Sequence, residues 1–365
     1  PFEEITSEMQ RAWDAQWLTN NGPLLKEFEA GLNAYLGTKD CAVVSNGTAA
    51  IQVALQALGV KGEVITTPFS YVATTSTIVW EGCTPVFVDI DANTFNIDPT
   101  QIESAITEKT TAILATHVFG VPCDEESIER IAKKHHLKVI YDAAHCFGTK
   151  INGSSILNYG DLSTLSLHAT KLMHSVEGGA IFVNDSSNKL EGLTEPVSPL
   201  RYTVNRLRNF GHFGPEVFDG VGINAKNSEI HAAIGLVNLR YAEEIIADRE
   251  RQHDRYNQGL AALTLIKPEI AENIDWNKSY YPVVFKGEEE TLYVLDGLEA
   301  SGIYARRYFY PALNTLPYIV QPGKTPNAAT ISTSILCLPL YFGLEDDKIN
   351  RVIEEVVRLC NEFRS

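Results

Sequence analysis

Short runs of β-branched and aliphatic residues recur through the first half of the chain: CAVVS (41–45), EVITT (63–67), PVFVDI (85–90), TAILATHV (111–118), KVIYDA (138–143), LSTLSLHA (162–169) and GAIFV (179–183). Most are separated by stretches with apolar residues three and four apart, such as AAIQVALQAL (49–58) and ESIERIAKKHH (126–136). Runs of four to eight predict strands, and the wider spacing predicts amphipathic helices. Strands alternating with helices need crossover connections, which cover both faces of a mainly parallel sheet. The expected architecture is α/β, a seven-stranded, mainly parallel sheet sandwiched by helices.

The pattern changes near residue 230. Residues 229–263 read as one long helical stretch, followed by YYPVVF (280–285), a helix over 291–302, a tyrosine-rich loop and a last helix over 346–363. This is the pattern of a smaller C-terminal α+β domain, so the expected division is 1–240 for the large domain and 241–365 for the small one.

Composition narrows the function classes. The 365 residues carry a formal charge of −16, which opposes approach to a nucleic-acid backbone or an anionic membrane. No apolar run approaches a membrane span, and PFEEITSEMQ lacks a signal-peptide pattern, so a cytosolic protein is expected. The six cysteines have no close spacing of a metal or redox motif, and no metal site is expected; they read as reduced, structural residues.

Three segments carry candidate chemistry. Ser45-Asn46-Gly47-Thr48 follows a strand and opens a helix, which presents free amides and a hydroxyl to an anion; the same residues also read as a simple helix cap. Asp142 ends the fifth strand-like run, at the sheet edge where open α/β folds bind ligands, and Ala143 and Ala144 leave room there for a flat ring. A carboxylate there can hold a ring nitrogen protonated, or it can cap the next turn. Lys171 follows Ser166-Leu167-His168-Ala169-Thr170 at another strand end, where its amine can condense with an aldehyde and move a proton.

The order and separation of these segments resemble the sugar aminotransferases of the DegT/StrS type, which have the aspartate-aminotransferase fold, fold type I of the pyridoxal 5′-phosphate enzymes. The resemblance runs from WLTNNGP through SNGTAAIQVAL, TTPFSYVATTS, PVFVDID, IYDAAH, SLHATK and EGGAIF to RNFGH, VGINAKNSEIHAAIG and ILCLPL. It implies pyridoxal 5′-phosphate as cofactor, with Gly47, Thr48 and Ser166 on the phosphate and Tyr71 stacked on the ring. Asp142 would face the ring nitrogen, His145 the ring hydroxyl, and Lys171 would bond the cofactor aldehyde. Asn224 would reach the phosphate from the other subunit of a homodimer. The chain departs from the family pattern at Asn46, at Leu167-His168-Ala169 and at Ile223 and Lys226, which leaves the roles of His168 and Lys226 open.

A related branch that deoxygenates sugars has histidine at the lysine position, so Lys171 implies amine transfer. The resemblance further implies L-glutamate as donor and a dTDP-linked keto sugar as acceptor. The nearest likeness is to enzymes that convert dTDP-4-keto-6-deoxy-D-glucose to dTDP-4-amino-4,6-dideoxy-D-glucose for O-antigen or other surface glycans. Amination at C3 of an isomeric sugar, a different fold-type-I enzyme and a cofactor-binding regulator are the alternatives. The loops 201–213 and 304–310, rich in arginine and tyrosine, are expected to face substrate.

Overall fold

All seven predicted strands fall in one sheet. The computed structural model describes residues 1–190 and 196–365. Its strands are β1 (Cys41–Val44), β2 (Glu63–Thr66), β3 (Thr84–Phe87), β4 (Thr110–Thr116), β5 (Lys138–Asp142), β6 (Leu162–Ser166) and β7 (Gly179–Val183). They lie in the order β1-β7-β6-β5-β4-β2-β3. The pairs from β6 to β3 are parallel, whereas β7 runs antiparallel to both neighbours. That reversal follows from the connection after β6: a loop of twelve residues returns the chain directly and no helix crosses over.

Helices cover both faces. Preceding the sheet are α1 (Phe2–Asp14) and α2 (Pro23–Leu36); α3 (Gly47–Ala57), α4 (Val72–Trp80), α5 (Pro99–Ala105) and α6 (Glu125–His135) connect its strands, and α7 (Pro199–Leu207) follows. Successive residues of β4 point to opposite cores: Ala112 and Leu114 join a cluster with Ala50 and Ala54 of α3, and Ile113 and Ala115 join one with Ile128 and Ile131 of α6. Burial on both sides explains why these strands read as continuous apolar runs.

The predicted long helix is two: α8 (Glu229–Arg240) and α9 (Ala242–Gly259), parted at Tyr241, where φ −100° and ψ 7° leave the helical region. Apolar spacing continues across the break, so periodicity alone does not reveal it. The C-terminal part pairs β8 (Tyr281–Val284) antiparallel with β9 (Ile335–Leu338) and adds α10 (Glu288–Ala300), α11 (Pro326–Ser334) and α12 (Asp346–Arg364). It has its own core, in which Tyr256 of α9 packs with Tyr281, Val294, Leu336 and Val356. All six cysteines are buried and unpaired. Among the described residues no helix is long and apolar enough to cross a membrane.

Candidate active site

The carboxyl ends of β1, β5 and β6 open on a cavity of about 1050 Å³. Gly47, Thr48, Tyr71, Asp142, His145, Ser166, Lys171 and Asn224, scattered over 178 residues of sequence, all line it. Their positions have local causes.

After β1 the chain turns into α3, and the Asn46 side chain caps the helix by accepting from the Ala49 amide at 2.8 Å. The cap reading is therefore correct for Asn46, and it leaves the amides of Gly47 and Thr48 without intrahelical acceptors. The turn sits tightly on its neighbours. A Cβ on Gly47 would stand 3.0 Å from the Ser166 Cβ, and one on Gly179 would stand 2.5 Å from the Asn46 carbonyl oxygen. Ser166 and the helix entrance thus face each other across a gap that only glycine permits.

Asp142, at the end of β5, is 5% exposed. Its Oδ2 accepts from the Thr74 hydroxyl at 2.7 Å and its Oδ1 from the Ala144 amide at 3.2 Å. Behind Thr74, hydroxyl contacts continue to Ser70 at 2.8 Å and from Ser70 to Thr116 at 2.9 Å. Burial raises the Asp142 carboxyl above its ordinary value, and the Thr74 and Ala144 bonds oppose that. Sequence inspection missed Ser70 and Thr74, because threonine and serine in TTPFSYVATTS look like ordinary turn and helix residues, and Thr116, which ends the apolar run TAILAT.

His145 is buried with its Nδ1 unpartnered. Its ring lies parallel to Phe309 with centroids 5.7 Å apart, and the Asn277 amide fixes its backbone by donating to its carbonyl at 2.7 Å. Burial lowers its basicity well below the usual histidine value, so it is a neutral imidazole at neutral pH.

Lys171 stands on the loop between β6 and β7. The backbone bonds Ala169 N to Val176 O and Leu167 N to Gly178 O, each 2.8 Å, fold this loop back on itself. Val176 pays a conformational cost with φ +69°, rarely adopted by a β-branched residue. The Lys171 Nζ donates to the Tyr280 hydroxyl at 3.5 Å, and burial lowers its ammonium to about 8. Tyr280, another residue missed in the sequence, comes from the C-terminal part of the chain.

Tyr71 precedes α4 and is 59% exposed on the cavity wall. Asn224 is exposed on the rim of its own chain's cavity, where its Oδ1 accepts from Lys226 Nζ at 2.7 Å. His168 also lines the cavity, with Nδ1 2.8 Å from the Thr170 hydroxyl.

The two segments expected as substrate loops fare differently, and the first is not all loop, since residues 201–207 lie on α7. Arg306, Arg307, Tyr308 and Tyr310 line the cavity, whereas Arg201 and Arg208 face the interior. Both pair with buried Glu29, at 2.9 and 2.7 Å, and Arg201 also pairs with Asp40 at 3.0 Å. The expectation that they face substrate is corrected: their partners lie more than 160 residues away and are invisible to local inspection.

The profile of the DegT/DnrJ/EryC1/StrS aminotransferase family matches residues 2–357. The chain belongs to the DegT/DnrJ/EryC1/StrS aminotransferase family. Among its members, a dTDP-4-amino-4,6-dideoxy-D-glucose transaminase of Shigella dysenteriae is 39% identical, the match covering 100% of this chain and 96% of that protein. A GDP-perosamine synthase of Caulobacter vibrioides is 34% identical over 93% of this chain and 91% of its own length. Among solved structures, DesI, crystallised with its TDP-sugar product, superposes with a TM-score of 0.91 at 32% identity, covering 100% of this chain and 92% of DesI. Membership makes this chain a sugar aminotransferase, and the sheet with its flanking helices is the fold-type-I arrangement.

Proposed function

We propose that this aminotransferase moves the amino group of L-glutamate to dTDP-4-keto-6-deoxy-D-glucose, giving dTDP-4-amino-4,6-dideoxy-D-glucose for a surface glycan such as O-antigen. The observation that carries the reading is the convergence on one cavity of eight residues, some read from three separate strand ends and others, such as Tyr71, His145 and Asn224, named only by the family resemblance. The name of the Shigella relative supports the choice of sugar.

The residues present fit pyridoxal 5′-phosphate. The free amides of Gly47 and Thr48 beside the Ser166 hydroxyl, brought together by a contact too close for a Cβ, suit a phosphate; buried His145 Nδ1 lacks a partner; and Asp142 offers a carboxylate held by two donors. When bound, this cofactor supplies an aldehyde that accepts nitrogen and a pyridinium that draws electrons from the reacting carbon. The Gly47 and Thr48 amides, with the hydroxyls of Thr48 and Ser166, hold the phosphate. Tyr71 stacks on the ring, and His145 stands by the ring hydroxyl. Asp142, oriented by Thr74, keeps the ring nitrogen protonated. Lys171 would bond the cofactor aldehyde, and as a free amine its Nζ would carry the proton that must leave the donor carbon. The lowered ammonium of Lys171 keeps a useful fraction as free amine near neutral pH.

The proposed division, 1–240 and 241–365, puts Lys171 and Arg306 on walls contributed by different domains, with Arg306 and Tyr308 available to the sugar nucleotide. A homodimer completes the proposal, with Asn224 acting across the interface. Phe210, Phe213, Val217, Phe218, Val221 and Ile223, all exposed, form an apolar stretch that runs directly into Asn224, as expected of a surface covered by a second copy. Because Asn224 also borders its own cavity, mixing Lys171→Ala with Asn224→Ala protein decides between the two arrangements. Recovered activity supports the shared site, and none after proven subunit exchange rejects it. The function itself is tested by following 2-oxoglutarate: one equivalent per enzyme site with glutamate alone, and continuous release once the keto sugar is added. No release under either condition overturns it.

A further inference from the structure

A second cavity of about 1030 Å³ adjoins the first and shares Thr170, Lys171, Arg306 and Tyr308 with it. Although the chain is strongly acidic, this cavity is lined by Lys171, Arg249, Arg306, Lys348 and Arg351 against the carboxylate of Glu244. Four of these cations are engaged: Lys171 with the Tyr280 hydroxyl at 3.5 Å, Lys348 with Glu345 at 3.0 Å, Arg306 with the Tyr308 hydroxyl at 2.9 Å, and Arg351 with the Ser301 carbonyl.

Arg249 is not. It is 7% exposed, its Nε and Nη1 are buried without hydrogen-bond partners, and among the described residues no carboxylate pairs with it. Its neighbour Asp248 is taken by Arg251 at 2.7 Å, by the Gly343 amide at 2.7 Å and by Gln252. Burial lowers the guanidinium to about 10, which still leaves it charged at neutral pH. A buried cation with unmet donors is destabilising unless an anion supplies acceptors, and the planar fork of arginine matches a carboxylate. The neighbouring lining residue Tyr280 accepts from Lys171 Nζ, so the unpaired cation and the reactive amine border one space.

We propose that Arg249 receives a carboxylate of the amino donor in this second cavity, while Lys171, which lines both cavities, faces the donor's amino group. This rests on the reading that the donor is an amino acid such as glutamate. The donor is anchored through Arg249 in its half of the reaction, and the sugar nucleotide occupies the first cavity in the other.

The test titrates the holoenzyme, wild type and Arg249→Gln, with glutarate by calorimetry, and measures KM for glutamate and for the keto sugar. Loss of one forked, charge-assisted contact is expected to weaken glutarate binding and raise the glutamate KM by at least about tenfold, with the sugar KM within about twofold of wild type. Arg249→Lys, which keeps the charge but not the fork, should fall between. Equal glutarate binding and glutamate KM in wild type and variant overturn the proposal, as does Arg249-dependent binding of inorganic phosphate with none of glutarate. Should Arg249→Gln yield no folded holoenzyme, Arg249→Lys carries the test, and an unchanged glutamate KM there is equally fatal. Arg249-dependent glutarate binding without nitrogen transfer to any sugar leaves this site standing and rejects the substrate reading; transfer with an Arg249-independent glutamate KM does the reverse.

Discussion

Replacing Thr74 with valine removes one hydroxyl at nearly constant volume and so isolates the donor on which Asp142 depends. Thr74 is fully buried and donates to Asp142 Oδ2 at 2.7 Å, so no solvent donor stands ready to replace it. Ser70 loses its 2.8 Å contact with Thr74 but keeps the one with Thr116 at 2.9 Å, so the main loss falls on the carboxylate. A hydrogen bond to a buried charged group is worth about 1.5–3 kcal/mol, and cofactor-free Thr74→Val protein should lose about that much stability above neutral pH. The pH dependence has a definite sign. Burial raises the Asp142 carboxyl, so the folded chain holds that proton more tightly than the unfolded chain, and stability falls as pH rises from the ordinary carboxylate value through the raised one. Losing the Thr74 bond raises the carboxyl further, so the deficit of the variant should widen with pH across that window and shrink toward acid. Urea unfolding of wild type, Thr74→Val and Thr74→Ser at a series of pH values measures this, with the serine variant recovering most of the loss. A Thr74→Val deficit below about 0.5 kcal/mol, or one that does not change with pH, would refute the role given to Thr74.

Other expectations follow from the same geometry. Lys171→Ala should abolish the absorbance band of lysine-bound cofactor together with turnover, and a variant keeping both would remove Lys171 from its proposed role. With its ammonium lowered to about 8, Lys171 should capture added cofactor faster as pH rises through that value, and a flat rate profile in stopped flow would contradict this. Glu29→Gln should cost about 3–5 kcal/mol in unfolding experiments, because it leaves the buried guanidinium of Arg208 without its carboxylate and that of Arg201 with Asp40 alone. If the variant instead kept its stability and only its sugar KM rose, those arginines would belong to the substrate after all.

Where the sequence reading succeeded and failed has physical causes. Strands buried on both faces announce themselves as apolar runs, and all seven were legible. The ends of β1, β5 and β6 were legible too, since Gly47, Asp142 and Lys171 stand where apolar runs stop. What depended on distant partners was hidden. Arg201 looked like a substrate arginine because Glu29 is 172 residues away in sequence. Thr74 gains its meaning only when α4 is laid beside the end of β5. Arg249 sits among charged neighbours on α9 with nothing local to mark it, yet it is buried against the second cavity. The break at Tyr241 is a local change of backbone angle without proline or glycine to mark it.

The most direct test of the central claim incubates purified protein with L-glutamate and, separately, dTDP-4-keto-6-deoxy-D-glucose and its 3-keto isomer, and identifies the amino sugar by NMR. The account predicts nitrogen at C4 of the 4-keto substrate. Nitrogen at C3 of the isomer alone, or transfer to neither sugar, would contradict it.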